Sequence, residues 1–237
     1  MYTVRDSGAK TAVHAVHAVL AAVLRVREGR LEALLWERAQ EPYAGAWALP
    51  GGVLDADETL EESVRRHLAE KVDVQEVSHL EQLETLSDPD RNPAGRELAT
   101  AFLGLVPTDV DPRVPDDTRW HPVDALPQLA YDHESILLTA CDRLRGKLSY
   151  TNLGFALAPA EFTIAELRDL YAGALGHRVS ATNLQRVLLR RGVLTATEGR
   201  RHYGSSGGRP AKLYRFRTRE LEITDQFAVL RPPTIAR

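Results

Sequence analysis

Residues 49–74 read LPGGVLDADETLEESVRRHLAEKVDV, and the N-terminal architecture follows from them. A Pro-Gly-Gly turn leads to Asp55 and Asp57, residues of the helix-capping type, and then to residues 58–71, where Leu60, Val64 and Leu68 recur at four-residue spacing. That spacing is one stripe of an amphipathic helix. On the same helix His67, Glu70 and Lys71 stand at i, i+3 and i+4 and share a face.

Upstream, residues 11–26 and 31–38 are apolar, β-rich runs separated by the turn-like Arg27 to Arg30, which predicts two buried strands. His14 and His17 lie three apart on the first run, so they point to opposite faces and do not converge on one metal. Downstream, strand-like runs at 72–77, 80–86 and 97–106 precede a loop rich in proline and aspartate, a short strand at 118–121 and a helix over 133–146. The lone Cys141 sits among Ile136, Leu137, Ala140 and Leu144 as a buried helical position, which leaves no intramolecular disulfide and no cysteine-based zinc site. Strands alternating with helices in this way give a mixed α/β domain.

With Gly52, Glu58, Arg66, Leu68, Glu70 and Val74 in register, and with Trp36 to Trp47 as approach, this region resembles the Nudix box. The resemblance implies a nucleotide-diphosphate site. In the family, carboxylates on one helix face hold Mg²⁺ through hard oxygen ligands, and the metal polarises a diphosphate and activates water. Here the three positions are His67, Glu70 and Lys71, so two of three carboxylates are absent, and Asp73 replaces the glycine that follows the helix. An ammonium at Lys71 repels a divalent cation yet can sit beside a phosphate. The expectation is therefore a ligand site with no catalytic residue and no metal. Arg38, Trp47, Gly52, Arg66, Glu70, Lys71, Arg91 and Arg96 are its candidate contacts, through arginine forks on phosphate and an aromatic face under a base. For each arginine taken alone a surface salt bridge is an equal alternative.

The stretch 147–162 has no clear period and contains Gly154 and Pro159, which places a domain boundary there, between residues 1–150 and 151–237. Thr163 with Glu166 three residues later starts a helix over 163–174, and a second, over 180–191, turns Leu184, Val187 and Leu188 inward and Arg186 and Arg190 outward. Two helices joined by a glycine-containing turn are a helix-turn-helix candidate. Residues 193–217 then read as two strands around the tip Gly204 to Gly208, similar to the wing of a winged helix. Candidate DNA contacts are Thr182, Asn183, Arg186, Arg190, Arg191, Arg200, Arg201, Arg209 and Lys212.

Charge divides along the same line. Residues 151–237 carry 14 Lys+Arg against 7 Asp+Glu, a net of +7, whereas residues 1–150 carry 16 against 26, a net of −10. A polyanion is attracted to the second half and repelled by the first. With no apolar run of about 18 residues and no leader-like N-terminus, a cytoplasmic protein without membrane contact is expected.

Taken together, a Nudix-like domain followed by Phe-Thr-x-x-Glu-Leu and by Gly-Arg-Pro-Ala-x-Leu-Tyr-Arg-Phe resembles the Nudix-related transcriptional regulators. The resemblance implies repression of NAD biosynthesis genes, a double-stranded operator, ADP-ribose or a related nucleotide as effector, and no required cofactor. A homodimer is expected because helix-turn-helix proteins usually read two half-sites. The competing readings are an active ADP-ribose hydrolase with a DNA-binding appendage and a nucleotide-sensing interaction protein that never touches DNA.

Overall fold

The computed structural model describes residues 14–201 and 210–225. Its N-terminal unit is built on a mixed sheet. Strand β1 (Val16–Arg27) pairs antiparallel with β2 (Arg30–Glu37) and β4 (Gly51–Val53) and parallel with β6 (Glu97–Leu105). On the outer sides, β2 pairs with β3 (Trp47–Ala48) and β7 (Thr118–Pro122), and β6 pairs with β5 (His79–Leu86).

The continuous apolar run of β1 has a direct cause, since both its faces are covered. Val19, Ala21 and Val23 pack with Val64, Leu68 and Val72 of helix α1 (Leu60–Val72). Ala18, Leu20, Ala22 and Leu24 face the other way, into a cluster shared with helix α2 (His133–Tyr150). Cys141 is fully buried there, and burial pushes its thiol up to about 11.

Three local expectations change. Helix α1 is capped by Thr59 rather than by Asp55 or Asp57: the Thr59 hydroxyl accepts from the Glu62 N–H at 3.3 Å, and the Glu62 carboxylate accepts from the Thr59 N–H at 2.8 Å. The strand expected over 72–77 is absent. Helix α1 runs through Val72, and Asp73 then takes the left-handed conformation at φ 51°. The aspartate thus performs the turn that the family gives to glycine, at the modest cost that Asn and Asp pay there. Helix α2 extends to Tyr150, four residues past its expected end, because Leu144 and Leu148 continue its buried stripe.

The C-terminal unit holds α3 (Ile164–Leu175), α4 (Ala181–Arg190) and the antiparallel pair β8 (Leu194–Arg201) and β9 (Ala211–Phe216). Thr163 and Glu166 form the capping box of α3 as the sequence indicated. Phe162 bridges to Tyr214 and so adds a third, one-residue strand position beside β9. The glycine-rich tip, with Arg209, lies outside the described residues.

The segment between the units is not an exposed linker. Leu153, Phe155, Ala156, Leu157 and Ala158 are buried, and one apolar cluster continues from β1 and α2 through them to Leu167, Tyr171, Leu188 and Phe216.

Candidate effector cleft and nucleic-acid interface

The Pro50-Gly51-Gly52 turn, the start of β1 and the end of β2 enclose a cleft of about 380 Å³. Trp36, Arg38, Gly51, Lys71, Tyr131 and His133 line it. At its floor the Lys71 ammonium donates to the Gly51 carbonyl at 2.7 Å and lies 5.1 Å from the centre of the Trp36 ring. Burial lowers the Lys71 pKa, and the charges of Arg38 and Arg66 lower it further.

The other box residues are engaged among themselves. Arg66 donates to both oxygens of Glu58, at 2.9 and 2.6 Å, and its bonds hold the Glu58 carboxyl down at about 2. Glu70 is exposed and reaches Arg66 only at 3.5 Å. The His67 ring is buried against Gly52, where an added Cβ would come within 2.4 Å of it. Its Nε2 lies 3.0 Å from the Val53 carbonyl, so that nitrogen carries the proton and Nδ1 is left without a partner. Burial lowers its pKa.

The divalent metal of the Nudix box does not fit these residues. A cation at the Gly51 carbonyl would meet the Lys71 ammonium, Glu58 is committed to Arg66, and His67 is committed to Val53. Among the described residues no group of three or more His, Cys, Asp or Glu side chains is arranged to hold a metal.

Arg38, Gly52 and Lys71 come together at this cleft, but other expected contacts do not. Arg91 is a correction: its side chain is 2% exposed and does not line the cleft, and each of its three guanidinium nitrogens donates to a carboxylate of the fold, two to Asp132 and one to Glu97. Trp47 does not line this cleft, and its ring meets that of His121 edge to face at 4.5 Å. Arg96 donates to the Ser87 carbonyl at 2.8 Å and lines a separate shallow depression with His14 and Asn92. The residues missed were Trp36, Tyr131 and His133. Tyr131 takes φ 53°, with its ring under the Arg38 guanidinium at 4.9 Å and 4.7 Å from that of Tyr43.

In the C-terminal unit the Ser180 hydroxyl caps α4 by accepting from the Asn183 N–H at 3.3 Å. Leu184 and Leu188 are buried, whereas Thr182, Asn183, Arg186 and Arg190 are exposed on the opposite face. Arg186 donates to the Asn183 side chain at 2.7 Å, which pre-orders two of the four. Lys212 and Arg200 are exposed on the β8–β9 pair, together with Arg215, which sequence reasoning did not include. Arg201 is paired with Glu166 of α3. Arg191 is a second correction, because it turns away from the α4 face to donate to the Ser149 carbonyl at 2.8 Å and to Asp225 at 2.6 Å.

Both units match known families: the NUDIX domain over residues 16–139 and the NrtR DNA-binding winged helix domain over residues 154–216. The chain is also 30% identical, over 209 residues, to the ADPR responsive transcriptional repressor NtrR of Acinetobacter baylyi, covering 85% of this chain and 82% of that protein. It belongs to the Nudix-related transcriptional regulators. The crystal structure of Shewanella oneidensis NrtR complexed with a 27mer DNA has the same architecture, with 31% identity, a TM-score of 0.71, and coverage of 84% of this chain and 93% of that one. Similarity to an ADP-ribose pyrophosphatase of Methanocaldococcus jannaschii is confined to 44% of this regulator and 62% of that enzyme, at 35% identity over 108 residues. No helix among the described residues of the regulator is long and apolar enough to cross a membrane.

Proposed function

We propose that this regulator is a cytoplasmic, homodimeric repressor of NAD biosynthesis genes that binds operator DNA through α4 and the β8–β9 wing. Its N-terminal unit senses ADP-ribose or a closely related nucleotide and does not hydrolyse it. The observation that carries the sensing half is the Lys71 ammonium fixed on the Gly51 carbonyl inside the cleft. A built-in cation there offers a charge-assisted bond to a diphosphate. It also excludes the divalent ion that would activate water. The exposed Thr182, Asn183, Arg186 and Arg190 supply the groove-reading face, and the relative with this architecture was crystallised with DNA.

Gel-shift titration of the full chain on the promoter regions of NAD biosynthesis genes, with and without ADP-ribose and across a salt series, tests the reading. Binding should weaken steeply with salt. Arg186→Ala and Arg190→Ala should each weaken it by about 1–3 kcal/mol. Hydrolysis of ADP-ribose with Mg²⁺ or Mn²⁺ is measured beside it. Robust turnover would favour the pyrophosphatase reading that the similarity to the Methanocaldococcus enzyme raises.

A further inference from the structure

His133 opens α2 and is 3% exposed, yet it lines the cleft. Its Nδ1 accepts the Leu49 N–H at 3.0 Å. A ring nitrogen that accepts from an N–H carries no proton, so in the neutral ring the proton is on Nε2. That Nε2–H has no hydrogen-bond partner among the described residues, and the residue lines the cleft. A nearly buried donor without an acceptor is costly unless something supplies one. The ring cannot escape the cost by turning over, because the Leu49 N–H would then lose its acceptor.

The surrounding loop is shaped for the same purpose. Tyr131, two residues earlier, is held in the left-handed region at φ 53°, a conformation that aromatic residues avoid, and this places its ring under Arg38 at the cleft wall. The backbone is fixed on both sides by the Ala130 N–H bond to the Trp47 carbonyl at 2.8 Å and by the His133 N–H bond to the Ala130 carbonyl at 3.2 Å. Burial lowers the His133 pKa to about 3, against a partly opposing effect from Asp132, so the donor persists unchanged through the physiological range.

We infer that His133 is an effector-binding residue, a neutral donor whose Nε2–H is satisfied by an oxygen of the bound nucleotide. This rests on the nucleotide-sensing reading above. The cleft then offers three different elements to one ligand: the cation of Lys71, the Arg38–Tyr131 wall, and a neutral donor directed at a ribose or phosphate oxygen.

Two substitutions separate the ring nitrogens, because the Asn amide overlays Nδ1 and the Gln amide overlays Nε2. His133→Asn keeps an acceptor for the Leu49 N–H and removes the donor, whereas His133→Gln keeps a donor at the ε position. Calorimetry in chelator with ADP-ribose, AMP and inorganic pyrophosphate should show His133→Asn binding ADP-ribose roughly five- to tenfold more weakly than the parent, the worth of one hydrogen bond. His133→Gln should remain within about threefold, a figure that allows for a less well-oriented bond. A loss shared by pyrophosphate assigns a phosphate oxygen, and a loss confined to ADP-ribose or AMP assigns a ribose oxygen. On the unaltered protein, ¹⁵N-histidine spectra should show, besides the Nε2-protonated ring of His67, a second Nε2-protonated imidazole that is absent in either variant and whose Nε2 resonance moves on adding ADP-ribose. Equal affinity of parent and His133→Asn, an equal loss in both variants, or an unmoved resonance at saturation would overturn the assignment of His133. A parent that binds none of the three probes would instead overturn the sensing reading itself.

Discussion

The guanidinium of Arg191, one residue past the end of α4, donates to the carbonyl of Ser149 in the last turn of α2, 2.8 Å away. Helix α2 begins at the cleft with His133 and spans 18 residues, so about 27 Å of continuous helix joins the cleft to the end of α4. Asp225 holds the second arm of the same guanidinium. Coupling between two sites is a free energy that each ligand exerts on the other. Helix α2 makes contact at both places, and substitution at Arg191 tests whether it carries such coupling.

Arg191→Met breaks this joint without touching the exposed face of α4. The expected outcome is an unchanged ADP-ribose affinity, with the ratio of operator affinities measured with and without saturating ADP-ribose moving toward one. If Arg191 instead contacted phosphate, as its place in the sequence suggests, the variant would bind operator more weakly in both conditions, and the salt dependence would fall by about one unit of slope.

Lys71→Met should weaken ADP-ribose binding roughly 10- to 100-fold, the range of a lost charge-assisted bond. Burial and the neighbouring arginines lower the Lys71 pKa, so its ammonium neutralises at lower pH than an ordinary lysine. Affinity in the parent should therefore fall as pH rises, before free lysines titrate, and the variant should lack that dependence. Calorimetry in chelator across a pH series measures both effects. Binding that requires added divalent metal would contradict the role given to Lys71.

The double change His67→Glu and Lys71→Glu restores three carboxylates on one face of α1, with Glu70 as the third. The buried contact of His67 with Gly52 and Val53 adds a condition to this expectation. A carboxylate there is desolvated beside a carbonyl, which is unfavourable until a cation joins them. The double variant should melt below the parent in chelator and rise on adding Mn²⁺, whereas the parent should not respond. Gain of hydrolysis is a stricter demand, because a misplacement of about 1 Å can cost a hundredfold in rate.

What was legible in the sequence is what is local. The Thr163–Glu166 box, the stripe of α4 and the apolar run of β1 each depend on neighbours within a few residues or on simple periodicity. The Thr59–Glu62 pair is a local signal of the same kind, and its reciprocal bonds make it the cap in place of Asp55 or Asp57. The site was less legible because its partners are distant in the chain. Arg91 finds Asp132 41 residues away, Arg191 finds Ser149 42 residues away, and His133 meets the Leu49 loop at a separation of 84. Two tryptophans, Trp36 and Trp47, precede the box, and only the fold decides that Trp36 lines the cleft while Trp47 packs on His121.

Glu81 of β5 ties the sheet to α2 by accepting from His79, Lys147 and Arg143. Burial alone would raise its pKa, but the bonds to His79 and Lys147 outweigh this and hold it at about 2. A depressed folded-state pKa contributes stability above the ordinary carboxylate value near 4.5, and that stability is lost as pH falls toward 2. Glu81→Gln should cost roughly 1–3 kcal/mol at neutral pH and flatten the loss of stability below pH ~4.5. Urea unfolding at a series of pH values reads both quantities.

Gly173 decides how closely the two units meet. A Cβ at this position of α3 would lie 2.8 Å from the carbonyl carbon and oxygen of Gly29 in the β1–β2 turn, and 2.8 Å from Val26 Cγ1. Those contacts are backbone and buried side chain, so they cannot simply swing aside. Two effects of Gly173→Ala therefore oppose each other. Alanine in a helix interior is favoured over glycine by about 1 kcal/mol. Overpacking at a closed junction costs about 1–3 kcal/mol. With the junction packed as observed, the second effect should win, and the variant should unfold at lower urea than the parent. Were the units to separate freely in solution, only the helix term would remain, and Gly173→Ala would be more stable by about 1 kcal/mol. The sign of one measured stability difference thus distinguishes a closed junction from an open one. The same substitution should also disturb the effector cleft, because Trp36 and Arg38 sit at the far end of the hairpin that Gly29 turns. A loss of stability with unchanged ADP-ribose affinity would confine the junction's role to holding the units together.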